Sequence, residues 1–199
     1  MVAMTAVLGG VIALLTSGAA SAASFPYSDY AFRYSTSGAP CPAAYWDTPA
    51  ANAGGYFRVR ACAYPPTSSN AVKAQFYDTV TFNGASGSAT MSSTISITVK
   101  IGASPRICIC IHSSGVTVRV GHTIWDNTNG QTWTAWSWSD SQGWGYKAYG
   151  TTIYPSMAFY KTNGHSYTYM VTVEVVAWQT GGDSADGKVE GTLVYIKLT

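Results

Sequence analysis

Charged side chains are scarce in this sequence. Of its 199 residues, 11 are Lys or Arg and 9 are Asp or Glu, so 10% are charged, where a soluble domain usually has about a quarter. The formal net charge of +2 is too small to neutralise a row of phosphates, and we expect no nucleic-acid partner. With 47% hydrophobic and 14% aromatic residues, the composition also excludes a disordered chain and a coiled coil.

Glutamate is especially rare, since only Glu174 and Glu190 are present. Hydrolysis by paired carboxyl groups needs two of them with different pKa values at a fixed spacing, and this chain offers few such pairs. No serine lies in a nucleophile elbow that could use His112, His122 or His165, and His122 is predicted to be a hydrogen-bonded interior residue. We therefore predict that the protein is not an enzyme and has no catalytic residue, metal site or cofactor.

Charge is also missing from the first 28 residues. Residues 7–15 are apolar and small residues follow them, a pattern typical of a secretory signal with cleavage after Ala22, although no Lys or Arg precedes the apolar run. A helix that spans a membrane needs roughly 20 apolar residues, more than this run contains, so we expect no stable membrane span. The alternative is that the segment is retained as a membrane anchor. We predict a signal peptide at 1–22, a single domain at 23–199, and a secreted protein that is extracellular or at the cell surface.

The four cysteines would then lie in an oxidising compartment, where an even number predicts disulfides. Cys108 and Cys110 lie two apart on a predicted strand, about 7 Å from each other, so a bond between them would be strained. We prefer two bridges that join this strand to Cys41 and Cys62. A single Cys41–Cys62 bridge is the alternative. A metal site of Cys108, Cys110 and His112 is disfavoured, because secreted thiols oxidise.

Helical patterns are missing after residue 23, and the dominant hydrophobic period is two. In residues 89–101 apolar residues alternate with Ser, Thr and Lys, which is typical of a half-buried strand. About ten strands fit, which predicts an all-β, antiparallel two-sheet sandwich of the immunoglobulin-like or jelly-roll kind. Turns are predicted at Asn83-Gly84, Asn129-Gly130, Asn163-Gly164 and Asp186-Gly187.

Aromatic residues stand out on a surface that 45 Ser and Thr residues make polar without charge. Five of the seven Trp lie between residues 125 and 144. Rings on an uncharged outer face offer contact area to sugars or to another surface, while the plainer interpretation is that they fill a β-sheet core. The candidate ligand-binding residues are Trp125, Trp133, Trp144, Tyr146 and Arg119.

The hairpin that turns at Gly130 decides which of these rings face outward. A three-residue loop would bury Trp136 and Trp138 and place Trp133 outside, opposite Trp125. A two-residue turn would exchange the two faces, so that Trp133 is buried and the other two are exposed. Trp125 faces outward in both registers.

A glycosidase is one alternative function. The segment MVTVEVVAWQTGG at residues 170–182 resembles the C-terminal acid strand of secreted jelly-roll glycosidases, which implies a catalytic carboxylate at Glu174. If the last two strands form a hairpin, Glu190 lies on the same outer face, roughly 7 to 8 Å from Glu174. Asp78 or Asp126 would otherwise have to supply the second carboxylate, because no Glu precedes Glu174.

Self-association is the other alternative, and it is favoured if the strand at residues 89–101 lies at an open sheet edge. The preferred interpretation is a secreted, non-catalytic β-sandwich protein that acts by surface contact. We expect its partner to be a polysaccharide or the cell-envelope surface, bound through an aromatic outer face.

Overall fold

The structure, a computed structural model, describes residues 23–26, 33–38, 41, 49–66, 69–104, 113–180 and 183–199. Within these residues the chain forms twelve strands and no helix, which confirms the predicted all-β, antiparallel two-sheet sandwich. The described part of the chain holds no helix with the length and apolarity that crossing a bilayer requires. The predicted signal segment 1–22 lies outside the described residues, as do Cys108, Cys110 and His112.

The strands divide into two sheets. They are β1 (Ala23–Pro26), β2 (Arg33–Ser37), β3 (Ala50–Ala51), β4 (Tyr56–Ala63), β5 (Ser69–Thr81), β6 (Gly87–Ser104), β7 (Ser114–Asp126), β8 (Thr132–Gln142), β9 (Gly145–Ile153), β10 (Ser156–Lys161), β11 (Ser166–Gln179) and β12 (Ser184–Leu198). In the seven-stranded sheet β6 and β12 pair at the centre, with β9 and β10 beyond β6, β4 and β1 beyond β12, and β3 beyond β4. The five-stranded sheet has the order β2-β5-β11-β7-β8.

Alternation along each strand places one face of each sheet in the core. The predicted apolar face of β11 is confirmed, since its members are at most 1% exposed: Tyr167, Tyr169, Val171, Val173 and Val175. Met91, Ile95, Ile97, Val99 and Ile101 of β6 face them from the other sheet, also buried. The Ser and Thr residues between them cover much of the two outer faces.

One predicted turn is wrong. Asp186-Gly187 lies inside β12, and Gly187 is buried between the sheets. A Cβ added to Gly187 would lie 2.2 Å from Cγ1 of Val116 and 2.9 Å from Cγ1 of Val175. This glycine therefore allows the two sheets to approach closely and does not form a turn. Gly84, Gly130 and Gly164, from the other predicted turns, do have positive φ angles.

The loop between β7 and β8 is longer than either predicted register allows. The backbone N–H of Asp126 donates to the carbonyl of Gln131 at 2.8 Å, which leaves four residues in the loop. Trp133 consequently pairs with Ile124 and faces the core, while Thr132 pairs with Trp125. The predicted outward pairing of Trp133 with Trp125 is therefore wrong.

A β-bulge in β8 changes the faces a second time. The register shifts between Val120 and Gly121, so that Ser137 is the extra residue on β8. Trp138 pairs with Val120, as the three-residue loop predicted, and packs against the core. Trp136, on the other side of the bulge, is 47% exposed, which is a correction to the register that buried it.

Strand β6 lies between β12 and the pair β9 and β10, so the strand at residues 89–101 is not at a sheet edge. The condition that favoured self-association is thus not met. Strand β8 does end its sheet. It carries the Ser137 bulge and a half-buried charge at Asp140, both of which discourage pairing with another chain.

Cys41 and Cys62 form a disulfide with their Cα atoms 5.7 Å apart. The preferred pairing of both cysteines with Cys108 and Cys110 is therefore wrong, and the alternative bridge is confirmed. The bond is local, since only 21 positions separate the two cysteines in the chain, and both side chains are buried. Cys62 follows Arg58 and Arg60 on the outer face of β4, so the bridge ties the segment at Cys41 to that face.

His122 lies inside the core with no exposed surface, as predicted. Its Nε2 is 2.9 Å from Oγ of Ser93 in the other sheet, and its Nδ1 is 3.1 Å from Oγ of Ser137 at the bulge. Burial lowers the pKa of His122 to about 4, because the charged imidazole would lose its hydration. A neutral, buried histidine therefore joins the two sheets.

Candidate functional site

Three partly exposed aromatic rings lie across glycines on the outer faces of the sheets. A Cβ added to Gly102 would lie 3.1 Å from Cδ2 of Tyr146, one at Gly121 2.9 Å from Cε3 of Trp136, and one at Gly115 2.7 Å from Cζ2 of Trp178. Each glycine thus leaves room for a ring to lie against the sheet, which covers the backbone there. Tyr146 remains 69% exposed above its glycine, against 47% for Trp136 and 37% for Trp178.

Tyr146 belongs to a cleft of about 720 Å³ on the outer face of the seven-stranded sheet. Trp144 lies beside it. Trp144 is 73% exposed and Tyr146 is 69% exposed. The polar lining comes from three neighbouring strands and consists mainly of Arg60, Lys100, Asp186 and Lys188. Large apolar groups with this exposure on an otherwise polar face are typical of a contact site.

The corner between β8 and β9 holds these two rings in place. Gly145 separates them and has a φ of +79°, a conformation that other residues rarely adopt. The side-chain amide of Gln142 donates to the carbonyl of Trp144. Below the corner, Lys147 and the Tyr149 hydroxyl both donate to Asp140. Burial raises the pKa of Asp140, but these two donors outweigh it and the net shift is downward.

Ion pairs lie in the floor of the cleft and directly beside it. Arg60 binds Asp186 through two nitrogens, with Nε 2.9 Å from Oδ1, the bidentate geometry that guanidinium favours. Lys188 lies 3.1 Å from Oε2 of Glu190, whose Oε1 accepts a hydrogen bond from the Tyr56 hydroxyl at 2.6 Å. The hydrogen bond from Tyr56, followed by that from Lys188, lowers the pKa of Glu190 against the effect of burial.

The structure separates the five predicted ligand-binding residues. Trp144 and Tyr146 meet in the cleft. Arg119 and the half-buried Trp125 lie on the outer face of the other sheet. Trp133 belongs to the core, where its ring centroid is 6.1 Å from that of Phe159. Its assignment as a ligand-binding residue rested on the wrong register.

Replacing Trp133 with Ala is accordingly expected to affect stability. Trp133 is only half-buried, so the loss should be about 2 kcal/mol, less than the 3 to 5 kcal/mol typical of a fully buried aromatic residue. Urea unfolding measures it. The matched control is Trp144→Ala, which removes a highly exposed Trp and should change the free energy of unfolding by less than about 0.5 kcal/mol.

A second, smaller groove surrounds Trp136, which the sequence analysis did not include among the candidate residues. The guanidinium carbon of Arg119 lies 3.9 Å from the centre of the Trp136 ring, and its Nε donates to Glu174 Oε2 at 2.5 Å. This groove measures about 180 Å³ and includes Gln75 and Thr172 in its lining. The four-residue loop already pairs Trp136 with Gly121 on the outer face, where the two-residue turn also predicted it, whereas the bulge at Ser137 returns Trp138 to the core.

The two glutamates do not form the predicted pair. Strands β11 and β12 belong to different sheets, so Glu174 and Glu190 lie on opposite outer faces of the sandwich. Asp126, one of the proposed substitutes, is 1% exposed and accepts a hydrogen bond from Nδ1 of His165 at 2.7 Å. Burial raises the pKa of Asp126, while His165 and two backbone amides lower it to a net downward shift. It fastens the β7–β8 loop. Among the described residues, no three His, Cys, Asp or Glu side chains are grouped so that they could hold a metal ion.

Comparison with known proteins adds little. No protein-family model matches the chain, and no curated protein does. Among solved structures, the enzymatically active domain of tailspike protein 4 from bacteriophage CBA120 is similar to 82% of this chain, with 12% sequence identity and a TM-score of 0.24. The similarity covers 19% of that other chain. A likeness this distant supports no statement about fold or activity.

Proposed function

We propose that the protein is a secreted, non-catalytic β-sandwich that binds polysaccharide through the cleft at Trp144 and Tyr146. The observation that carries the proposal is the Tyr146 ring lying across Gly102 beside the exposed Trp144. Pyranose rings present flat C–H faces that pack on such aromatic surfaces, while hydroxyl groups around the ring edge need polar partners.

Polar partners are available within the same cleft. Arg60 and Asp186 hold one another in a fixed geometry, and such a pair offers both donors and acceptors at little further cost in entropy. Strands provide the supporting backbone, because Asp186, Gly102 and Tyr146 lie side by side on β12, β6 and β9. A rigid floor of this kind favours binding, since little has to be ordered when a ligand arrives.

The two alternative functions have less support. A glycosidase would need a carboxyl group near Glu174, but the nearest charged group described at its carboxylate is the Arg119 guanidinium, and Glu190 lies on the other sheet. Assembly through β6 would need that strand to be open along one side, whereas both sides are paired.

Binding to a polysaccharide panel tests the proposal. Affinity electrophoresis in gels with soluble glucan, xylan or galacturonan, and pull-down on cellulose, chitin and peptidoglycan, should give at least one ligand for the wild type. The double variant Trp144→Ala/Tyr146→Ala should bind it at least about tenfold more weakly, because aromatic anchors dominate such contacts. No reducing ends should be released during the incubation.

The control is Trp136→Ala, which removes an exposed Trp from the opposite sheet and should retain wild-type affinity. Failure of the wild type to bind any member of the panel would reject the proposal. Loss of binding in Trp136→Ala, with the double variant unaffected, would also reject it and would assign the contact to the groove beside Arg119.

A further inference from the structure

We infer that the ligand of this cleft is an anionic polysaccharide, an inference that rests on the proposed function and adds the chemical class of the sugar. It comes from three cations that the sequence gives no reason to group, because Lys and Arg are scattered along the chain. The register of the seven-stranded sheet brings them together on its outer face.

The three cations form one row across adjacent strands. Lys188 of β12 pairs with Arg60 of β4 on one side and with Lys100 of β6 on the other. Directly opposed residues on neighbouring strands have their Cβ atoms about 5 Å apart, and like charges at that separation repel. Three of the 11 Lys and Arg residues of the chain thus lie directly beside one another.

Acidic neighbours offset only part of this charge. Among the described residues, Asp186 binds Arg60 and Glu190 binds Lys188, which are two carboxylates beside the three cations. Lys100 is exposed, and no acidic side chain in the described part of the chain forms an ion pair with it. The unneutralised charge lies in the same cleft as Tyr146 and Trp144.

This combination suits a sugar that carries an acidic group. One face of the pyranose would pack on the aromatic rings while its carboxylate or sulfate reaches the ammonium of Lys100. Bringing an anion to the row relieves the repulsion between the lysines and adds a charge-assisted hydrogen bond. A neutral sugar would obtain the stacking alone.

One polymer in two chemical states tests the inference. Polygalacturonate and the same polymer fully methyl-esterified share one backbone, and only the first carries a carboxylate charge; dextran sulfate against dextran makes the corresponding comparison for sulfate. At 50 mM NaCl we expect about tenfold tighter binding to the charged member of at least one pair, and this preference should shrink at 300 mM NaCl. Whichever pair shows it identifies carboxylate or sulfate as the acidic group.

Two matched variants locate the charge that is responsible. Lys100→Gln should lower affinity for the charged polymer about threefold and leave binding to the neutral one unchanged. Lys197→Gln makes the same charge change on β12 at a site outside the cleft lining and should have no effect. Thermal unfolding of both variants confirms that they are folded.

The outcomes separate this inference from the proposed function. Equal binding to charged and neutral members, or binding of neutral polymers only, would overturn the inference and leave polysaccharide binding intact. Equal losses in Lys100→Gln and Lys197→Gln would also overturn it, because the attraction would then be to the overall charge. If charged polymers bind but Tyr146→Ala has no effect, the stacking contact of the proposed function is rejected, whereas binding of the anion by the row of cations is supported.

Discussion

Replacing Tyr167 with Ala is expected to lower the free energy of unfolding by about 4 kcal/mol, within the usual range for a buried aromatic residue. Tyr167 is fully buried and lies at the centre of an aromatic cluster. Its ring centroid is 5.4 Å from that of Phe82, 6.0 Å from Phe159 and 6.4 Å from Trp133. Alanine would lose these contacts and leave a cavity between the two sheets.

Urea unfolding of the oxidised protein measures the change in the free energy of unfolding. In thermal unfolding, the melting temperature should fall by about 10 °C for a domain of this size. Two controls separate its causes. Tyr167→Phe keeps the ring and removes the hydroxyl, which accepts a hydrogen bond from the N–H of Thr162 at 2.8 Å, and should lose about 1 kcal/mol. Tyr160→Ala, at a side chain 52% exposed, should be nearly neutral. If Tyr167→Ala lowers the free energy of unfolding by less than about 1 kcal/mol, Tyr167 cannot be packed in the core as the structure places it.

As the pH falls, protonation of His122 is expected to destabilise the protein at a higher pH than protonation of the carboxylates does. The pKa of His122 is about 4 in the folded protein, against an ordinary value of 6.5. The unfolded chain therefore binds a proton at a pH where the folded protein does not. The contribution of His122 is fully present above pH 6.5 and is lost as the pH falls towards 4. At 1.36 kcal/mol for each pKa unit, the full loss is about 3 kcal/mol.

Chemical unfolding between pH 7 and pH 5 isolates this effect, because Asp126, Asp140 and Glu190 have lowered pKa values and lose their contributions only at more acidic pH. The variant His122→Gln has no titrating side chain at position 122 and should show a clearly flatter profile than the wild type. Ser93→Ala removes one hydroxyl partner of the same ring and should shift stability at every pH while keeping the slope. A wild-type slope retained in His122→Gln would disprove the assignment.

Local pattern was sufficient for the faces of the strands. Residues such as Val173, Tyr169 and Ile95 are buried where alternation predicted them, because side chains of a strand alternate between faces whatever the neighbouring strands are. His122 was correctly placed inside for the same reason. These predictions use only the period of two within one strand.

The binding residues were harder to predict, because each depends on a detail outside its own strand. Trp144 and Tyr146 were proposed because Trp and Tyr residues are concentrated in that stretch of sequence, whereas the faces of Trp133 and Trp136 depended on a hairpin register that the sequence left open between two alternatives. The four-residue loop places Trp133 inside and Trp136 outside, and the bulge at Ser137 returns Trp138 to the core, since a shift of a single residue reverses every side chain beyond it. Glu174 and Glu190 were predicted to lie together on the assumption that the last two strands form a hairpin. The structure instead places β11 and β12 in different sheets.

The sequence by itself determined the class of fold, the polar covering of Ser and Thr, and the presence of exposed aromatic residues among very few charges. Only the tertiary structure decided which of those charges meet. Lys100, Lys188 and Arg60 come from strands far apart in the chain and become neighbours through the pairing of β6, β12 and β4. Alternation within a strand specifies a face but no partner, and partners are selected by packing across the whole sandwich.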